Sequence, residues 1–247
     1  MITINFDIIL MCNYKCQYCF QRRSKLWNGI SSISLMKYII NGLKYICDDV
    51  HFTIIGGEPS IHPKLYWFVN ELQKIECIKE IEIYTNNQKE LKWLPRNCIL
   101  TVSYHESQIK NFERWCSNLK HLTKMVDKVN LIIMTEHSNH NIETLYKEVK
   151  DIPNIHLSVN NVIDFDTNTF DIVNPLSKYN VSLYAPQRIP DNYKCKINSF
   201  DIYVNGEISA SCKKIQQKIV SEKTLYDVIQ KYKNTTITCP EKICMGL

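Results

Sequence analysis

Residues 12–19 read Cys12-Asn13-Tyr14-Lys15-Cys16-Gln17-Tyr18-Cys19, directly after the apolar run Ile4–Leu10. Three thiols on one short loop can wrap one face of a cubane, because soft sulfur ligands favour iron–sulfur clusters or zinc. Three ligands rather than four leave one metal position open to another group. A zinc knuckle is the alternative for the loop taken alone. A second motif, Gly56-Gly57-Glu58-Pro59, stands just past the next apolar run, Phe52–Ile55, in a chain with only six glycines. Adjacent glycines let a ligand approach the backbone closely, and Glu58 offers a carboxylate to an ammonium group. Together at successive strand ends, the two motifs are far more specific than either alone.

Outward from these motifs, strand patterns alternate with helical ones. Strands are expected at Ile4–Leu10, Phe52–Ile55, Glu80–Thr85, Ile99–Tyr104, Val129–Thr135 and Ile155–Val159. Helices are expected at Leu35–Cys47, Pro63–Lys74, Ile109–Leu122 and Asn141–Lys150, the last opened by an Asn cap. This rhythm implies a parallel sheet or partial barrel with right-handed crossovers, whose chemistry gathers at the carboxyl ends of the strands. The rhythm stops after Asn160, and residues 161–194, with Pro175, Pro186 and Pro190, read as a bridge. Beyond it, Phe200–Val204 and Glu207–Ser211 flank Asn205-Gly206, a hairpin signal, and Thr224–Lys233 reads as a short helix. The expected organisation is therefore a core over 1–160, a bridge over 161–194 and a terminal region over 195–247.

Composition narrows the class. The chain has 247 residues, 45% of them hydrophobic, which suffices for a full core. Eleven cysteines without a secretory signal point to metal or thiol chemistry in a reducing, cytoplasmic setting rather than to disulfides. No apolar run approaches the roughly 18 residues a membrane helix needs. The formal charge of +5 reads as mild and dispersed, so a nucleic-acid partner is not expected. Four cysteines, Cys47, Cys77, Cys98 and Cys116, read as small buried hydrophobes. Four more, Cys195, Cys212, Cys239 and Cys244, fall in the last 53 residues, with the hairpin between the first two. A hairpin draws its flanks together, so these four thiols can hold a cubane or a structural zinc.

Through Cys12-x3-Cys16-x2-Cys19, the aromatic Tyr18 and Gly56–Pro59, the sequence resembles the radical S-adenosylmethionine (radical SAM) enzymes. That resemblance implies an α/β fold, a partial (β/α)6 TIM-like barrel with a small C-terminal hairpin-plus-helix extension. It further implies that Cys12, Cys16 and Cys19 hold a [4Fe–4S] cluster whose open iron binds S-adenosylmethionine. Gly56, Gly57, Glu58 and Pro59 would meet the cofactor's amino group, Tyr18 its adenine, and Phe20 would offer backbone contacts. Asn86 and Ser103, at later strand ends, are candidate cofactor contacts, while Tyr104, His105, Glu136 and His137 are weaker candidates for chemistry.

The terminal cysteines are similar to the shortened SPASM or twitch extension of some radical SAM enzymes, which holds a second, auxiliary [4Fe–4S] cluster. Zinc is the alternative there. The resemblance implies radical hydrogen abstraction for oxidation or bond formation on a peptide or protein side chain. Oxidation of a small polar metabolite, a sugar or nucleoside, is the runner-up, and a non-catalytic iron–sulfur or zinc protein is the reading from another class. With the Cys loop starting at residue 12, an N-terminal peptide-recognition domain is not expected. An external flavodoxin- or ferredoxin-like electron donor is.

Overall fold

The computed structural model describes residues 1–26, 28–135, 141–162, 172–184, 187–188, 190–210, 213–239 and 243–244. The chain opens with β1 (Ile2–Ile9), α1 (Ile33–Leu43), β2 (Val50–Gly56), α2 (Leu65–Leu72), β3 (Ile78–Thr85) and β4 (Ile99–Tyr104). It continues through α3 (Phe112–Met125), β5 (Lys128–Thr135), α4 (Ile142–Val149), β6 (Ile155–Asn161) and β7 (Ser182–Tyr184). Next are β8 (Gln187–Arg188), β9 (Lys194–Lys196), β10 (Ser199–Ile202), β11 (Glu207–Ala210) and β12 (Lys213–Lys218). Last come α5 (Glu222–Tyr232), β13 (Thr236–Thr238) and β14 (Ile243–Cys244).

One ten-stranded sheet runs in the order β12-β11-β10-β1-β2-β3-β4-β5-β6-β7, so it is an open, partial barrel among the described residues. The pairs from β1 through β7, and β1 with β10, are all parallel. The carboxyl ends of β1 to β6 therefore lie along one edge, with the Cys loop just after β1 and Gly57–Glu58 just after β2.

Period-two alternation gives the sheet two unlike faces. On one, Phe6 and Phe52 meet Phe68 of α2 at centroid distances of 5.5 and 5.8 Å, and Tyr104 meets Trp115 of α3 at 5.1 Å. This face is the apolar core. The opposite face is polar, carrying Asn5 and Asp7 on β1, Glu82 on β3, Thr101 on β4, Asn130 on β5 and Asp201 on β10.

Several elements depart from the sequence expectation. Pro63 stays outside α2, and Pro59 instead starts a 3-10 turn over Pro59–Ile61. Helix α3 starts at Phe112 rather than Ile109, because the Asn111 side chain caps it by accepting from Arg114 N at 2.7 Å. Asn141 stands at the start of α4 without capping it, since its amide donates to Glu106 Oε1 at 3.1 Å.

The bridge contains β7, which prolongs the main sheet. The hairpin forms as expected, with Phe200 opposite Ala210, and Gly206 takes φ +83° in its turn. It joins the core sheet through β10 rather than standing apart. Cys77, Cys98 and Cys116 are buried as expected, whereas Cys47 is exposed just beyond α1, where the helix has ended.

Candidate active site

Why two glycines stand at the end of β2 is a matter of backbone contact. A Cβ on Gly56 would lie 2.0 Å from Ile9 O, and Gly56 also sits at φ +131°. One on Gly57 would lie 2.2 Å from Met11 O and 2.6 Å from Leu10 O. Gly57 N donates to Ile9 O at 2.6 Å, and Glu58 N donates to Met11 O at 2.9 Å. The close approach permitted here is that of the chain to itself. It draws the root of the Cys loop against the end of β2.

Glu58 completes the brace. It is 0% exposed, and its Oε1 accepts from Ser60 N at 3.0 Å and from Thr85 Oγ1 at 2.9 Å. Its Oε2 accepts from Asn86 N at 2.7 Å. Both carboxylate oxygens are thus engaged by protein donors. Its side chain ties the end of β2 to the end of β3. Burial pushes its carboxyl above the ordinary range, and the donors from residues 60, 85 and 86 work against that push. Pro59, next to it, is buried in the 3-10 turn.

Asn86 carries the brace onward to the thiols. Its Nδ2 donates to Asn13 Oδ1 at 2.7 Å and points to Cys12 Sγ at 3.7 Å, while its carbonyl accepts from Trp115 Nε1 at 2.9 Å. Cys12 Sγ also accepts from Tyr14 N at 3.4 Å. Burial raises the Cys12 thiol, the Tyr14 amide opposes it, and the charges of Glu58 and Cys19 add to the rise. Cys16 is buried, and Cys12 and Cys19 are partly exposed. Asn86, a candidate cofactor contact, holds the loop through these bonds.

The loop's far side is tied to β4. The Tyr18 hydroxyl lies 2.6 Å from His105 Nδ1, with the rings stacked at 5.9 Å, and Tyr14 meets the same imidazole edge-on at 5.8 Å. Lys15 N donates to Gln108 Oε1 at 2.8 Å, and Tyr14 Oη donates to Gln88 Oε1 at 3.2 Å. Tyr14, Asn13, Gln88 and Gln108 escaped sequence reasoning. Only Tyr14 and Asn13 carried a signal, their place between two cysteines.

The remaining candidates scatter. Tyr104, a candidate for chemistry, is buried against Trp115 in the apolar core, whereas His105 stacks on Tyr18 of the Cys loop. Neighbours along a strand project to opposite faces. Ser103 is half-buried on the polar face of β4. Phe20 starts a 3-10 turn over Phe20–Arg23, and its side chain lies outside the described set. Glu136 and His137 fall outside the described residues, as do Cys212 and the side chain of Cys244.

Cys195 lies in β9, opposite Ile237 of β13, and Cys239 N donates to Tyr193 O at 2.8 Å. By that register Cys195 and Cys239 are diagonal neighbours on one face of the short ladder. Among the described residues, β13 and its extension thus neighbour Cys195. Among the described residues, no group of three His, Cys, Asp or Glu converges on a single metal ion. The Cys12 loop nevertheless suits a cluster: three soft ligands share one strand-end loop, and N–H donors face a thiol that must carry negative charge.

No family model matches the chain. A curated relative from Fibrobacter sp. (strain UWH6), an S-adenosylmethionine-dependent nucleotide dehydratase, is 37% identical over 95 residues, 34% of this chain and 27% of that protein. Among solved structures, Streptococcus suis SuiB bound to S-adenosylmethionine superposes with a TM-score of 0.68 at 16% identity, over 94% of this chain and 66% of SuiB. The enzyme anSMEcpe with bound AdoMet gives a TM-score of 0.57 at 15% identity, over 94% of this chain and 79% of its own. The chain thus spans just under two thirds of SuiB, and its match to the dehydratase spans about a quarter of that relative. With a Cys12-x3-Cys16-x2-Cys19 loop at the end of β1 and this sheet beneath it, the chain resembles the radical SAM enzymes in motif and has their fold.

Proposed function

We propose that the chain is a radical SAM enzyme that takes a hydrogen atom from a peptide or protein side chain, for oxidation or bond formation. The observation that carries this reading is the Cys12–Cys16–Cys19 loop, held at the carboxyl edge of a parallel sheet by contacts from the ends of β2, β3 and β4. When bound, a one-electron-reduced [4Fe–4S] cluster and S-adenosylmethionine supply a 5′-deoxyadenosyl radical and methionine.

The protein's own part is placement. Cys12, Cys16 and Cys19 are the ligands, and the Tyr14 and Asn86 donors favour the anionic form of Cys12. Gly56, Gly57 and Glu58 fix where the loop starts. Tyr18, oriented by His105, gives an aromatic face for the adenine, with Phe20 and Ser103 as further contacts. The buried framework around the loop limits water where a reactive species would form.

The peptide substrate is supported by the solved complexes of SuiB with its precursor peptide SuiA (TM-score 0.66) and of anSMEcpe with the Cp18Cys peptide (TM-score 0.56). A second reading, a small polar metabolite such as a nucleotide, has two supports. One is the polar sheet face bearing Asp7, Glu82, Thr101, Asn130 and Asp201, and the other is the substrate named for the Fibrobacter relative. Cys195, Cys212, Cys239 and Cys244 are proposed to hold an auxiliary cluster within a region spanning 195–247, with zinc as the competing occupant.

The test is anaerobic reconstitution with iron and sulfide, chemical reduction, and chromatography for 5′-deoxyadenosine. We expect the product from the native chain and none from Cys16→Ala. A cluster that reduces fully without yielding it leaves the non-catalytic iron–sulfur reading standing. Deuterium transfer from labelled peptide or labelled nucleotide into 5′-deoxyadenosine decides between the substrate classes.

A further inference from the structure

A cavity of about 650 Å³ lies between the segment that follows Cys19 and the hairpin strands. Lys25 and Leu26 line one side, and Tyr203, Glu207, Ser209 and Lys218 line the other. Ser209 is 4% exposed and stands opposite Asp201 in the β10–β11 ladder, which puts this lining on the polar face of the sheet. From there the polar groups run inward in series. Tyr203 Oη lies 3.4 Å from Ser209 Oγ, which donates to Asp201 Oδ2 at 3.1 Å. Asp201 Oδ1 accepts from Asn5 Nδ2 at 2.8 Å, and Asp7 stands two residues further along the same strand, on the same face. Asp7 is 5% exposed, and its Oδ1 accepts from Gln21 Nε2. Among the described residues, Asp7 Oδ2 has no donor.

The hydroxyl on the cavity wall feels all of these acids. Burial raises the Tyr203 phenol, the Ser209 bond opposes the rise, and the charges of Asp201, Asp7 and Glu207 add to it. Carboxyl groups from β1, β10 and β11 thus lie within electrostatic reach of one side chain. Among the described residues, none of the three makes an ion pair, whereas Glu71, Glu143 and Glu148 each hold a lysine. A buried carboxyl without a counter-ion loses its charge to desolvation until a positive group comes within reach. An ammonium group brings one charge and three donors, and so suits an open Asp7 Oδ2 flanked by a phenol and a serine hydroxyl. A phosphate would be repelled by the same acids.

We propose that this cavity is the substrate's specificity pocket and receives a primary ammonium group, with Asp7 as its carboxylate partner and Asp201, Ser209 and Tyr203 fixing its place. This rests on the radical SAM reading and deepens it by naming what the substrate carries: a lysyl side chain in a peptide, or an amino group on a small polar molecule. Gln21, two residues past Cys19, holds Asp7 by its other oxygen, so the group that reads the substrate is tied to the segment that carries the thiols.

The experiment is a binding measurement on the reconstituted full chain, with S-adenosylmethionine present and the cluster oxidised. Fluorescein-labelled hexapeptides that differ only in a central Lys or norleucine are titrated by anisotropy, and glucosamine, glucose and ATP by calorimetry. We expect the lysyl peptide or glucosamine to bind about tenfold more tightly than its amine-free match, and Asp7→Asn to lose that advantage while binding the match as before. The charged and titratable groups around the pocket are Asp201 on β10, Tyr203 and Glu207 of the hairpin, and Lys25 and Lys218 at the mouth. Burial lifts Asp7 to about 7, so the amine's affinity should rise about tenfold from pH 6 to pH 8 as Asp7 ionises. Asp7→Asn should show a shallower rise, the remainder belonging to Asp201, which burial also raises.

Equal affinity for both amines and their matches, equal amine affinity of Asp7→Asn and the native chain, or tighter binding of ATP than of either amine overturns the proposal. If Asp7→Asn loads iron poorly, Tyr203→Phe carries the same comparison. No radical is needed for these measurements, so their failure leaves 5′-deoxyadenosine formation by the reduced protein as a separate test of the enzymatic reading.

Discussion

Asp7, five residues upstream of Cys12, is 5% exposed and accepts from Gln21 Nε2 at 3.0 Å, just beyond the Cys loop. Burial raises its pKa from 3.8 to about 7, the Gln21 bond opposes the rise, and the neighbouring Asp201 charge adds to it. A carboxyl raised in the folded state is bound more tightly to its proton there than in the unfolded chain. Stability is therefore greatest while Asp7 is protonated, and it declines as pH rises from about 4 toward 7. Asp7→Asn keeps an acceptor for Gln21 and removes that decline. Urea unfolding should show it stabilising the chain, with a benefit larger by about 2 kcal/mol at pH 8 than at pH 5. Glu58 calls for the opposite experiment. Glu58→Ala leaves three buried donors without an acceptor and should cost about 3 kcal/mol in the same measurement. Neither role is legible in sequence. Asp7 reads as a polar break in a strand, and Glu58 reads as a ligand contact because a carboxylate beside two glycines gives no hint of which donors will face it.

At the scale of elements, the strand ends are clamped to each other. Gly57→Ala places a methyl carbon against Met11 O, so the end of β2 and the Cys loop must separate. We expect a loss of about 2–3 kcal/mol in stability, together with reduced iron retention on desalting after reconstitution. At the other end of the strands, His51 Nδ1 lies 2.8 Å from Glu80 Oε2 and its Nε2 2.9 Å from Glu82 Oε2. Glu82 also accepts from Thr101 Oγ1, which links β2, β3 and β4 across their polar face. The hydrogen bond to Glu82 leads in raising the His51 pKa, with burial opposing it and Glu80 helping. Burial would push Glu82 up, but the His51 and Thr101 bonds outweigh it, so its carboxyl stays below the usual range. The stability from protonated His51 is full below its unfolded pKa near 6.5 and fades as pH rises through the raised folded value. His51→Gln should thus cost about 1 kcal/mol at pH 6 and less at pH 9, read from urea midpoints.

Over the whole molecule, one sheet unites the Cys12–Cys19 loop and the hairpin beyond the bridge. Metal analysis tests the second half of the chain. About eight irons per chain fit two cubanes, and about four irons with one zinc fit the structural alternative. Cys239→Ala should lower iron from about eight to about four while leaving the Cys12 loop loaded. The sequence by itself determined the thiol loop, the glycine pair and the strand–helix order, because ligand spacing and hydrophobic period are local properties of the chain. Only the tertiary structure decided which groups the motif residues touch. The glycines admit the backbone of residues 9–11, Glu58 and Asn86 brace the loop, Tyr104 belongs to the core, and Cys195 lies beside Cys239. Each of these outcomes depends on which strands become neighbours and in what register, and those pairings join residues far apart in the chain.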